Sequence, residues 1–212
     1  MGRQEDNNLI GLLFVAGLSY LAGTSKLQSW QRFVDQFNER LRSMKYAKII
    51  IPIEYLKTNN NARVIYHEAV LSHLFGLPNA SVPIIVRLLE LALRSIYAKD
   101  EAGKHKPSLN ELIQLAEKEL AEKADIAHGF RLLRNRIHGD TVITEQDSLE
   151  TLRHVSILVN QVYPWHVYRI NKISPCGHGV SLSINYEDFF VGNSIPFVCS
   201  ICRNQYNETV IP

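Results

Sequence analysis

Every cysteine in this chain stands within the last 40 of its 212 residues, in the segments Cys176-Gly-His178 and Cys199-Ser-Ile-Cys202. Together with His178 they supply four ligands at C-x-H and C-x-x-C spacing, framing 20 residues of strand-like alternation. Thiolate and imidazole at such spacing suit a tetrahedral Zn²⁺. With Cys176, His178, Cys199 and Cys202 filling all four positions, no place is left for water, so the expected ion is structural. A tail as small as residues 166–212 buries too little surface to hold itself together without such a staple. The odd count of three cysteines argues against a disulfide framework and fits a reducing compartment or a metal. Free thiols beside an incidental histidine are the other reading of these residues.

Upstream of the tail the apolar period changes from two to the helical 3.6. Residues 63–165 read as one helical domain. A first helix is expected over Arg63 to Phe75, with Val64, Leu71, Leu74 and Phe75 facing inward, ended by Gly76-Leu-Pro-Asn79. Ser81 is the expected cap of a second helix, Pro83 to Lys99, with Pro83 in its first turn. Ile84, Ile85, Leu88, Leu91, Leu93 and Ile96 surround much of that helix, which makes it the central one. Arg87 with Glu90, and Glu90 with Arg94, are spaced for ion pairs along it. Ser108-Leu-Asn-Glu111 reads as a capping box, and Thr144-Glu-Gln-Asp147 as a further helix start. The last helix runs to Tyr163, where Pro164 follows. Helices joined by short loops give a mainly α fold, an up-and-down bundle, with the small β tail appended.

The first 62 residues divide in two. Residues 1–27 form an apolar helix by composition. Leu9 to Ala22 is a run of 14 strongly apolar residues inside the uncharged stretch Asn7 to Ser25. That is short for a membrane span, which wants ~20 residues. Gly11, Gly17 and Gly23, with Tyr20 and Trp30 at the ends, suit a membrane helix. The basic residues Lys26, Arg32, Arg40, Arg42 and Lys45 follow the run, whereas Arg3 alone precedes it. The positive-inside rule then places the C-terminal bulk in the cytoplasm, tethered to an inner membrane by residues 9–25. A buried core helix is the alternative. Residues 28–62 are a linker: an amphipathic helix over Trp30 to Met44, an edge strand or extended connection over Lys48 to Leu56, and a turn at Thr58 to Asn61.

The residues that point to chemistry close the helix Phe130-Arg-Leu-Leu-Arg-Asn-Arg-Ile-His-Gly-Asp140. Ile126, Phe130, Leu133 and Ile137 make its apolar stripe, and Gly139 suits a C-cap. Arg131, Arg134 and His138 fall at i, i+3 and i+7 on one adjacent strip, with Asn135 beside it and Arg136 turned away. Guanidiniums fork onto phosphate oxygens, and an imidazole exchanges a proton near neutral pH. Such a set can cleave RNA without a metal. The imidazole takes the 2′-hydroxyl proton while the cations hold the phosphate as its charge grows. The same residues also complement the dipole of a helix end, which is the plainer reading. The net charge of +2 supplies no global polyanion field, so any nucleic-acid contact must come from a local patch.

Arg134-Asn135 followed closely by His138-Gly139, at a helix end after a long helical hairpin, resembles the motif of the HEPN superfamily. The resemblance spans roughly Val64 to Tyr163. That family's pattern is an Arg with a polar neighbour, then about four to six residues, then His. Here three residues separate Arg134 from His138, and six separate Arg131 from His138. Either the motif is one residue short, or Arg131 takes the arginine role with Arg134 and Asn135 assisting. The resemblance implies a small helical domain and a metal-independent endoribonuclease of toxin or phage-defence systems. It also implies a homodimer whose motif helices meet in one cleft, with RNA as the substrate. An inactive, membrane-associated scaffold of the same fold, binding RNA or a partner protein, is the alternative. The tail similarly resembles a zinc ribbon, a module that binds nucleic acids or proteins.

Overall fold

The computed structural model describes residues 24–98, 106–120, 123–136 and 142–210. The chain separates into two units, Met1–Glu39 and Arg40–Pro212. The apolar run Leu9 to Ala22, and with it the proposed anchor, lies outside the described residues. Among those described, no helix is long and apolar enough to cross a membrane.

Helix α1, Thr24–Tyr46, extends the expected amphipathic helix at both ends. Within the first unit, Trp30 stacks on Phe33 at a centroid distance of 5.4 Å, and Phe33 meets Phe37 at 6.3 Å. These i, i+3 and i, i+4 pairs form the aromatic stripe that the sequence spacing requires.

The second unit is mainly helical. After α1 come α2, Ile53–Thr58, α3, Asn60–Leu74, and α4, Pro78–Tyr97. Then follow α5, Leu109–Leu115, α6, Glu117–Leu120, α7, Ala124–Arg136, and α8, Glu145–Val162. Helix α4 is the centre of the bundle and packs most extensively against α3 and α8. Ile85, Leu88, Leu89 and Leu93 are fully buried along it. Each such side chain contributes about 1.5–3 kcal/mol relative to exposure.

Local signals explain most boundaries. Asn59 accepts from the Ala62 N–H and starts α3. Both expected capping boxes form: Ser108 with Glu111 opens α5, and Thr144 with Asp147 opens α8. Three expectations need correction. Helix α4 starts five residues before Pro83, because Pro78 takes the first turn, where its missing N–H costs nothing. Ser81 is therefore no cap; it is buried inside α4 and donates to the Ala69 carbonyl of α3 at 2.9 Å. On α3, Val64 and Leu71 face outward, while Ala62, Tyr66, Ala69, Val70, His73 and Leu74 are buried. The small alanines let α3 approach α4 closely, and a histidine shares the inner arc, which disguised it in the sequence. Helix α7 runs unbroken through Gly129.

The segment expected as an edge strand splits. Ile49–Ile51 is extended, and α2 begins at Ile53, directly after Pro52. The tail forms two antiparallel hairpins, β1, Val167–Ile173, with β2, Gly179–Asn185, and β3, Ser194–Val198, with β4, Gln205–Thr209. The extended piece ties the tail to the bundle. The Ile51 N–H donates to the Phe189 carbonyl at 3.2 Å and the Val191 N–H donates to the Ile49 carbonyl at 3.0 Å. Trp165 seals the junction. Its ring meets Tyr186 and Phe189 edge-on, and its Nε1–H donates to Asn160 Oδ1 at 2.9 Å.

Candidate functional site

The four ligands foreseen in the tail come together. One ligating atom from each of Cys176, His178, Cys199 and Cys202 lies within 4.8 Å of all the others, so the cluster can hold a metal ion. His178 Nδ1 is 3.4 Å from Cys176 Sγ and 3.5 Å from Cys199 Sγ, and Cys202 Sγ is 3.4 Å from Cys176 Sγ. Bond lengths of ~2.3 Å to sulfur and ~2.0 Å to nitrogen give tetrahedron edges of about 3.5–3.8 Å, so the spacing is compatible with zinc. The two ligand pairs are presented by hairpin turns, not by one hairpin lying between them. Ser174 to His178 joins β1 to β2, and Cys199 to Asn204 joins β3 to β4.

Each turn is fixed by its own backbone. The Ser174 N–H donates to the His178 carbonyl, and the Gly177 N–H donates back to the Ser174 carbonyl. The Cys199 N–H donates to the Asn204 carbonyl, and the Arg203 N–H donates to the Cys199 carbonyl. Gly177 and Arg203 occupy the left-handed region, with φ of 83° and 64°. Each therefore turns the chain sharply so that its ligands converge.

The electrostatics favour thiolates at Cys176 and Cys199. The Ser174 hydroxyl, 2.9 Å from the Cys176 sulfur, and then the Tyr206 hydroxyl hold that thiol down to about 5. The backbone N–H of Cys202 does the same for Cys199, whose value is also lowered. The thiolates of Cys199 and Cys176 in turn raise His178. Cys202 is raised as well: the Asn204 backbone lowers it, but burial and then the neighbouring Cys176 and Cys199 outweigh that, so it holds its proton more firmly than they do. A divalent ion replaces that proton, so metal binding competes with protonation.

The second candidate site is the inner side of α7. Ala124 and Ala127 are its buried residues, and Arg131 and Arg134 continue that line by one and two further turns. Arg131 and Arg134 are both half-buried, whereas Asn135 is exposed. His138 lies outside the described residues. Ile126, Phe130 and Leu133, the expected apolar stripe, are half-buried, with Phe130 against His154 of α8 at 5.6 Å.

Arg134 reaches across to α4, where its Nη1 donates to Glu90 Oε2 at 3.2 Å. The other oxygen of the same carboxylate, Oε1, accepts from Arg94 Nη2 at 2.8 Å. Arg94 also donates to the Pro107 carbonyl at 3.0 Å. The sequence spacing had marked Glu90 and Arg94 as an i, i+4 pair. It gave no sign of the partner 44 residues away, which only the packing of α7 on α4 supplies. Arg131 Nε and Arg94 Nε are buried and have no hydrogen-bond partner among the described residues. Buried guanidinium donors left open in this way are costly and suit an incoming acceptor. The chain matches no family model, no curated protein and no solved structure.

Proposed function

We propose that this chain is a HEPN-like endoribonuclease that cuts RNA without a catalytic metal, acts as a homodimer, and carries a structural zinc ribbon. The observation that carries the reading is the placement of Arg131 and Arg134 on one side of α7, with a buried Arg131 donor that no described residue fills. In this reading Arg134 and Arg131 hold the scissile phosphate, and Asn135 orients one of them. His138 takes the proton of the ribose 2′-hydroxyl. The freed oxygen attacks phosphorus, the 5′-oxygen leaves, and that oxygen is protonated by the imidazolium or by water. A second copy of the strip completes the cleft and excludes water. Cys176, His178, Cys199 and Cys202 hold Zn²⁺, which fixes the tail and takes no part in bond breaking. The role suits a toxin or a phage-defence effector, as the resemblance implies.

Labelled RNA incubated with the full chain tests this directly. Cleavage is expected with chelator present, and it is expected to be lost in His138→Ala at unchanged helix content. Full activity in His138→Ala contradicts the assignment.

The engagement of Arg134 with Glu90 favours a second reading, a non-catalytic scaffold that binds RNA or a partner protein. Here residues 9–25 tether it to an inner membrane. Fractionation of the full chain beside a chain starting near Gln28 separates the two. A full chain that stays monodisperse without detergent removes the tether.

A further inference from the structure

We propose that the phosphate site is a composite of α4 and α7, that Arg94 belongs to it beside Arg134, and that Glu90 is its built-in occupant, which an RNA phosphate must displace. The inference rests on the RNA reading above and names the residues that regulate that site.

Three observations carry it. First, the two guanidiniums converge on the two oxygens of one anion, at 2.8 and 3.2 Å. Two non-bridging phosphate oxygens ask for the same arrangement. Second, the Arg94 and Arg134 side chains are 32% and 37% exposed, but Glu90 is only 18% exposed. The donors can therefore be approached from solvent, while the carboxylate is the more covered of the three. Third, Glu90 does not satisfy its surroundings. Arg94 Nε remains buried without a partner among the described residues, and one carboxylate against two guanidiniums leaves the trio positive. A phosphate diester brings a full negative charge and more acceptor oxygens than the carboxylate it replaces. Glu90 thus keeps the arginines oriented in the free protein and weakens binding until a phosphate competes successfully.

A merely structural ion pair makes a different forecast. Removing its carboxylate would leave two part-exposed guanidiniums unpaired, lower the thermal midpoint slightly, and leave RNA binding unchanged or weaker. The two are separated by anisotropy of a fluorescently labelled single-stranded RNA, titrated with the full chain carrying His138→Ala so that the probe stays intact. On that background, Glu90→Gln is expected to tighten binding about tenfold. It should also steepen the salt dependence by about 0.7 per freed phosphate contact. Arg94→Met and Arg134→Met are each expected to weaken binding about tenfold. If Glu90→Gln does not fold by circular dichroism, Glu90→Asp takes its place. That change keeps the charge, is too short to bridge both arginines, and should tighten binding by a smaller factor. If the parent binds RNA, Arg134→Met weakens it and neither Glu90 variant tightens it, the competition is overturned while the RNA reading stands. If no variant binds RNA, both fall.

Discussion

Cys202 Sγ lies 3.4 Å from Cys176 Sγ, although the two stand 26 positions apart in the chain. Two hairpin turns fold onto each other and bring these sulfurs into contact, the Cys202 thiol donating toward Cys176, within a cluster of four side chains that could hold a metal ion.

The first prediction concerns that ion. The purified chain should carry one zinc per molecule by elemental analysis, and Cys176→Ala should carry close to none. Structural zinc in small modules is worth about 10–16 kcal/mol of apparent binding energy, so the tail should lose its strand signal with the metal. The bundle should persist, because Leu88, Leu89, Leu93 and Leu152 bury a core independent of the tail. Affinity should rise with pH, since His178 and the Cys202 thiol, both raised, must release protons before the ion binds. A metal content unchanged in Cys176→Ala would remove the site.

The second prediction is a stability that falls in acid. His73 is 3% exposed, its Nδ1 lies 3.0 Å from Ser148 Oγ, and its Nε2 has no partner among the described residues. Burial pushes it down to about 4, with Arg40 adding to the effect and Glu145 opposing it. The unfolded chain therefore binds the proton more readily than the folded one. The stabilisation is complete above the ordinary histidine value near ~6.5 and is lost as pH falls from there toward 4. The loss amounts to about 3 kcal/mol across that window. Denaturant titrations at pH 7 and pH 4.5 measure it. His73→Gln should flatten the slope, and an unchanged slope in that variant would assign the acid sensitivity elsewhere.

A third prediction follows from Gly76. Its φ is +72°, and a Cβ there would stand 2.7 Å from Arg40 Nη2. That guanidinium also donates to Glu145 Oε1 at 2.6 Å and to the Leu74 carbonyl at 3.3 Å, joining α1, the end of α3 and the start of α8. Gly76→Ala should cost roughly 1–3 kcal/mol from backbone strain, and more if Arg40 is forced off Glu145. Thermal denaturation of Gly76→Ala beside Arg40→Ala checks this, and the double variant should be less than additive.

The sequence revealed what is local. Ser108 with Glu111 and Thr144 with Asp147 are complete within four residues, and both helix starts were readable for that reason. The four candidate metal ligands were readable because sulfur in that spacing has few other uses. What it hid is set by contacts between distant elements. Val64 and Leu71 were expected inward because they are apolar, yet α3 turns Ala62, Ala69 and His73 to the core, where close packing on α4 favours small residues. Glu90 could be paired with Arg94 by spacing alone, but its bond to Arg134 depends on how α7 lies on α4. The pairing of Ile49–Ile51 with Phe189–Val191 was equally out of reach, since nothing in a three-residue extended piece names its partner.

The proposed chemistry leaves a mark on its product. When an imidazole drives a 2′-hydroxyl onto phosphorus, the cut strand ends in a 2′,3′-cyclic phosphate and the other strand begins with a 5′-hydroxyl. The decisive measurement is end-group analysis of RNA cut by the full chain in excess chelator, with His138→Ala as the control. The account predicts cyclic phosphate and 5′-hydroxyl ends that disappear in the control. Ends bearing 3′-hydroxyl and 5′-phosphate, or intact RNA, would contradict it.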